Sequence, residues 1–249
     1  MKPSKIALLS IGGIVVAAII GVAMLARVTL GWGEQGAWND SDPGELTTQS
    51  RDLRGFSGLE INGSWTVAVT QGDEWQVELS YPENVLRADD VSVRGGQLSL
   101  DGSRSGSLFG RSDTRLTAEI VMPELEELEA AGQNRVTLSG FEGERLTINV
   151  AGANHVTGED GRYRELDLSM AGASNVQLDG IAFTDANVDL AGASNLTLTM
   201  DGGELNGSLA GAGRIEYSGT VSREAVDVAG FGWVGPAAPS EQGGLRETR

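Results

Sequence analysis

The chain has no cysteine, one histidine, 13 aromatic residues and only 18 basic side chains against 35 acidic ones in 249 residues. The missing cysteine excludes disulfides, thiolate zinc sites, cysteine nucleophiles and an acylated lipoprotein cysteine. A single imidazole, His155, excludes any site that needs two. A net charge of −17 with no basic stripe argues against a nucleic acid partner, since nothing would neutralise phosphates. No motif calls for a cofactor. The length suits one large or two small domains and is sufficient to bury a core.

Uncharged hydrophobic stretches are also scarce, with one exception at the front. Ile6 to Ala26 runs 21 positions without a charge, about 30 Å as a helix and enough to cross a bilayer core. Lys2 and Lys5 precede it and only Arg27 follows closely. The positive-inside bias therefore makes residues 1–30 a single-pass anchor with a cytoplasmic N-terminus and an exported body. A cleavable signal peptide ending near Gly21-Val22-Ala23 is the alternative. Residues 31–50 show no period and read as a flexible spacer reaching about 25 Å, with Trp32 placed to meet the headgroups. The basic residues of the anchor leave 31–249 with 15 basic and 35 acidic groups, a net of −20.

The 36 glycines are abundant, and six of them are periodic. AAGQNRV (130–136), VAGANHV (150–156), MAGASNV (170–176), LAGASNL (190–196), LAGAGRI (209–215) and VAGFGWV (228–234) place Gly132, Gly152, Gly172, Gly192, Gly211 and Gly230 at steps of 20, 20, 20, 19 and 19. Such a period means a solenoid whose repeats bury their apolar faces against their neighbours. Within each repeat the apolar positions alternate, so the coils are strands. Two and four residues before each glycine stand pairs such as Val150 with Ile148 and Leu190 with Val188, and four after it stand Val136, Val156, Val176, Leu196, Ile215 and Val234. These columns point inward while Asn, Asp, Ser and Thr face out. The glycine marks a sharp corner that admits no bulky side chain. The result is an all-β, parallel β-helix-like solenoid with coils of about 20 residues, and six coils at about 4.8 Å make a rod about 29 Å long.

Residues 51–128 are strand-rich but lie outside that register. Residues 59–81 alternate on both sides of Gln71-Gly72-Asp73, as a hairpin or a coil turn, and 91–100 gives two short strands around Gly95-Gly96. Residues 101–113 form a Gly/Ser loop, and 115–123 is a further strand ending at Pro123. This irregular section caps the regular coils. Residues 236–249 are poor in apolar side chains and are expected to be disordered.

Arg51-Asp-Leu-Arg-Gly-Phe56, the Gln71-Gly72 turn, Met122-Pro123-Glu-Leu125-Glu-Glu-Leu128, the serial Ala-Gly-Ala-Ser-Asn steps and the closing Leu209-Ala-Gly-Ala-Gly213 to Tyr217-Ser-Gly219 resemble the putative auto-transporter adhesin, head GIN domain family of bacterial envelope proteins. The resemblance spans 51–235. It implies a right-handed β-helix-like domain with a cell-surface or adhesive role, and it brings no catalytic residues.

Candidate chemistry is sparse. His155 shares its slot with Arg135, Asn175, Asn195, Arg214 and Trp233, a tolerance that marks a solvent-facing corner and not a catalytic base. Asp167 and Asp189 lie on adjacent coils, about 8 Å apart along the backbone. That separation suits an inverting glycosidase pair, but no aromatic platform accompanies them. No calcium repeat or EF-hand spacing occurs, and Glu159-Asp160 reads as turn residues; no metal site is expected. Asn134, Asn154, Ser174 and Ser194 align coil on coil, followed by Asn175 and Asn195. This polar ladder either offers glycans a hydrogen-bonding strip or satisfies the corner backbone. Phe231 and Trp233 cap the rod's apolar end or form a docking patch.

These readings combine into a membrane-anchored, exported, non-enzymatic β-solenoid that contacts glycans or envelope proteins from the bacterial cell membrane, with its body periplasmic or extracellular. A polysaccharide-cleaving enzyme and a self-assembling envelope scaffold are the alternatives.

Overall fold

The computed structural model describes residues 45–102 and 116–237, apart from 84 and 88. The expected anchor at 6–26, most of the spacer and the tail beyond 237 lie outside the described residues. Every described element is a strand, and none of them is a helix long and apolar enough to cross a membrane.

The regular coils are built as the 20-residue spacing demands. Strands β8 (Glu127–Gly132), β10 (Glu142–Gly152), β12 (Gly161–Gly172), the second half of β13 (Asn175–Gly192), β15 (Glu204–Gly211) and β17 (Arg223–Gly230) stack in parallel as one face. Strands β9 (Arg135–Ser139), β11 (His155–Glu159), the start of β13, β14 (Asn195–Asp201), β16 (Arg214–Thr220) and β18 (Trp233–Pro236) stack as a second. The corner glycines join the faces in strict register, Gly132 on Gly152 on Gly172 and onward. Each takes a positive φ, 112° at Gly172, and a Cβ there would lie 2.5 Å from the Gly152 carbonyl oxygen. Only glycine combines that backbone with so close an approach.

The alternating side chains fill a narrow core. Leu128, Ile148, Leu168 and Val188 form one buried column, and Val136, Val156, Val176, Leu196 and Ile215 another. On the third side Tyr163 stacks on Phe183 with ring centroids 6.2 Å apart, and its hydroxyl donates to the Leu125 carbonyl at 2.8 Å. Gly143 occupies the same column, where a Cβ would meet the Tyr163 ring. Outside this side, Arg145 bridges Glu165 and Asp167 at 2.7 and 2.6 Å, while Arg164 binds Glu144 and Glu165 at 3.1 Å. These arginines are more than half exposed, so each pair adds little to stability.

Four expectations about the ends need correction. First, part of the expected spacer is a strand: β1 (Leu46–Arg51) pairs antiparallel with β4 (Gln76–Pro82). Its polar sequence hides it, because an edge strand needs backbone bonds more than an apolar face. Second, the early section is not outside the coil register. Strands β2 (Gly58–Gly63) and β3 (Trp65–Gln71) stack on β8 and β9, placing Gly63, at φ 111°, under Gly132. Third, 59–81 is not a hairpin, because β7 (Leu116–Met122) lies between β3 and β4 and pairs with both. Strand β6 (Gln97–Asp101) extends the first face beyond β2, and the short β5 (Val91–Arg94) closes it antiparallel. Fourth, the inward column loses its cover at the last coil: Val228 keeps the register of Leu209 but is 45% exposed, and among the described residues no coil lies above it.

Candidate functional site

The inward polar ladder turns at the corner. Asn134, Asn154, Ser174 and Ser194 are all buried. The Oδ1 of Asn154 accepts both the backbone N–H and the side-chain amide of Asn134, each at 2.9 Å, and its own amide donates to the Ala151 carbonyl at 2.8 Å. The backbone N–H of Asn154 in turn donates to Ser174 Oγ at 3.2 Å, and Ser174 Oγ donates to the Gly152 carbonyl at 3.1 Å. Below them Trp65 N–H donates to Asn134 Oδ1 at 3.0 Å. A tight corner leaves backbone groups that no ladder partner reaches, and these side chains satisfy them. They are therefore unavailable as a ligand strip. Gly213 and Gly232 continue the column in the last coils.

Asn175 and Asn195 point the other way. They occupy the outward column Arg135–His155–Asn175–Asn195–Arg214–Trp233. His155 Nδ1 lies 3.3 Å from the Asn175 amide and Nε2 lies 3.4 Å from Thr157 Oγ1, so its neighbours are amide and hydroxyl. The next outward column is Thr137–Thr157–Gln177–Thr197–Glu216. Its members recur with the same 20-residue period, 137, 157, 177 and 197, as the corner glycines. The first face is more acidic, with columns Glu129–Asn149–Ser169–Asp189–Ser208–Asp227 and Glu127–Thr147–Asp167–Asn187–Asn206.

The two aspartates stand in neighbouring columns of adjacent coils, but other groups hold them. Arg145 binds Asp167, and Ser208 Oγ donates to Asp189 at 2.6 Å. Asp189 lines a shallow open hollow of about 360 Å³ along the alanines of the corner, which Asp167 does not reach. A second hollow, of about 590 Å³, lies among Glu124, Glu126, Glu142 and Glu144 over Tyr163. Burial and then the charge of Glu126 hold that tyrosine hydroxyl well above its ordinary range. Glu159 and Asp160 border a third open notch. Among the described residues no three His, Asp or Glu side chains converge to hold a metal ion. Phe231 does not cap the rod: it is 95% exposed, at the outward corner position of Ala153 and Ala173. Trp233 lies under the Arg214 guanidinium, 5.7 Å from the ring centroid.

Known proteins share this architecture. The crystal structure of a putative adhesin from Bacteroides fragilis NCTC 9343 matches with a TM-score of 0.58 at 15% identity, covering 78% of this chain and 97% of that one. Putative adhesins from Parabacteroides distasonis ATCC 8503 (TM-score 0.45, 14% identity, 78% and 98% covered) and Parabacteroides merdae ATCC 43184 (0.44, 16%, 78% and 97%) also align. At 15% identity the likeness to the Bacteroides fragilis structure speaks for the fold alone. No curated protein matches the chain. The sequence pattern described as putative auto-transporter adhesin, head GIN domain, matches residues 55–183, which is more than half of the chain and takes in the first corner glycines, and the chain belongs to that family.

Proposed function

We propose that the chain is a membrane-anchored, exported, non-enzymatic solenoid whose second face binds extended glycans or envelope proteins. The observation that carries this reading is the pair of outward columns on that face. Hydroxyl, amide and imidazole groups recur there in the four coils from Thr137 to Thr197, about 4.8 Å apart, on strands that the core holds rigid. Weak contacts repeated along one rod add up through multivalency. The family's adhesin description supports the same role. Residues 6–26 anchor the body with the N-terminus cytoplasmic, and the coils wind right-handed. A non-enzymatic role agrees with the engagement of Asp167 by Arg145 and of Asp189 by Ser208.

The test is a glycan and envelope-protein screen on residues 43–249, with Thr157→Ala, Gln177→Ala and Thr197→Ala combined as the variant. Binding that falls at least tenfold in the variant is expected. Silence across the screen, or hits indifferent to the variant, would overturn the reading. Retention of the full chain in the membrane fraction after salt washing checks the anchor.

A further inference from the structure

Among the described residues four large hydrophobic side chains are exposed, and three of them sit on the last coil: Val228, Phe231 and Trp233. That coil also has an open edge. Among the described residues β17 pairs only with β15, and β18 only with β16. The opposite end differs, because the antiparallel strands β5, β4 and β1 close it, and β1 is the polar stretch LTTQSR. An open strand edge beside apolar surface is a template for another strand.

The inward columns say which strand fits. Val226 continues the column of Val188 and Gly207, and Val228 that of Leu190 and Leu209. The next inward position breaks the pattern. Glu224 stands over Leu205, Ala186, Leu166 and Leu146, the apolar side chains of the four coils beneath it. Tyr217, in the inward column of Leu178 and Leu198, donates its hydroxyl to Glu224 at 2.8 Å. That hydrogen bond, then burial, then the charge of Glu224 raise the tyrosine above its ordinary range. A strand laid on β17 would bury this carboxylate, which is tolerable only if it brings a cation. A second copy of the chain, at −17, is repelled. Residues 238–249 hold one large apolar side chain, Leu245, too little to cover the patch. On β18 the edge is four residues long and ends at Pro236, which has no N–H to donate.

We propose that the last coil accepts an extended segment of a partner protein as a strand parallel to β17, with a lysine or arginine over Glu224 and aliphatic side chains over Val226 and Val228. This docking is independent of whatever the lateral face binds. The probe is a heptapeptide with the sequence of residues 186–192 and lysine in place of its first alanine, titrated against the full chain in detergent by fluorescence anisotropy. A second peptide carries glutamate at that position. Saturable binding of the lysine peptide, at least tenfold tighter than the glutamate peptide, is expected. Glu224→Lys should reverse the preference, and Val228→Asp, at an exposed position that leaves the fold intact, should remove binding of both. Equal binding of the two peptides, or none by the lysine peptide at millimolar concentration, would overturn the proposal. Self-association abolished by Val228→Asp would assign the end to a second copy. Peptide binding seen only after deletion of 238–249 would assign it to the chain's own tail. Either result refutes the partner strand.

Discussion

Replacing Asn154 by alanine tests whether the polar ladder is structural. The side chain accepts two N–H groups from Asn134 and donates to the Ala151 carbonyl, at a position only 3% exposed. Alanine leaves the Asn134 backbone N–H without its acceptor and removes the side-chain hydrogen bond to the Ala151 carbonyl, in a corner that backbone from the neighbouring coils crowds. An orphaned buried group costs about 1–3 kcal/mol and a lost neutral hydrogen bond about 0.5–1.5 kcal/mol, so the change costs about 3 kcal/mol. For a domain of this size about 1 kcal/mol corresponds to about 2–4 °C in melting temperature, so Asn154→Ala should lower it by about 6–12 °C. Serine is the internal control, because Ser174 already fills the column one coil on with a hydroxyl that accepts one N–H and donates to the Gly152 carbonyl. Asn154→Ser should therefore cost about 1 kcal/mol. Asn175→Ala, which points outward, should stay within about 0.5 kcal/mol of the parent. Thermal melts followed by circular dichroism read all three. An Asn154→Ala melt within about 2 °C of the parent, or a serine variant as damaged as the alanine one, would refute the reasoning.

Other consequences follow from the same geometry. Gly172→Ala places a Cβ against the Gly152 carbonyl at a φ of 112° and should cost at least about 3 kcal/mol, whereas Ala173→Ser next to it should be neutral in urea titrations. Leu168→Ala opens a cavity in the mid-rod column and should cost about 2–5 kcal/mol; Val228→Ala, 45% exposed, should cost under about 1 kcal/mol. Tyr163 has its folded pKa raised, so the stability from its neutral form is complete below its unfolded value of about 10 and is lost as pH rises above that. Urea midpoints measured from about pH 8 to 11 should fall at the alkaline end, and Tyr163→Phe should flatten that fall.

The legible part of the fold was the part with a fixed period. Gly132 to Gly230 and their flanking apolar columns could be placed before any coordinates, because stacking forces one residue type per column wherever the chain turns or faces inward. Gly63 escaped for a physical reason. It stacks on Gly132 but lies 69 residues ahead of it, since the chain leaves the coil to build β4, β5, β6 and β7 before returning. Its motif, Asn62-Gly63-Ser64-Trp65, also lacks the flanking alanines. A periodicity argument cannot see a partner across an insertion. Strand β1 escaped because it buries little, and the alternation signal reports burial, not hydrogen bonding.

The same distinction explains why the site was harder to read than the scaffold. An inward column is constrained by its neighbours above and below, so Asn134, Asn154, Ser174 and Ser194 hold small hydrogen-bonding side chains whatever the protein binds. The adjacent outward column is not so constrained, and it runs through Arg135, His155, Asn175, Asn195, Arg214 and Trp233. Regularity in an inward column therefore marks what the fold needs, and recurrence there is poor evidence of recognition. The informative positions are those where an inward column breaks its rule without losing the coil. Glu224 is such a position: it replaces the aliphatic of the four coils beneath it, and the Tyr217 hydroxyl reaches it across the open end. A carboxylate there gives the fold less than leucine would, since it forfeits apolar contact and hinders a further coil. What it supplies is discrimination at the open end, between a strand that brings a cation and one that does not.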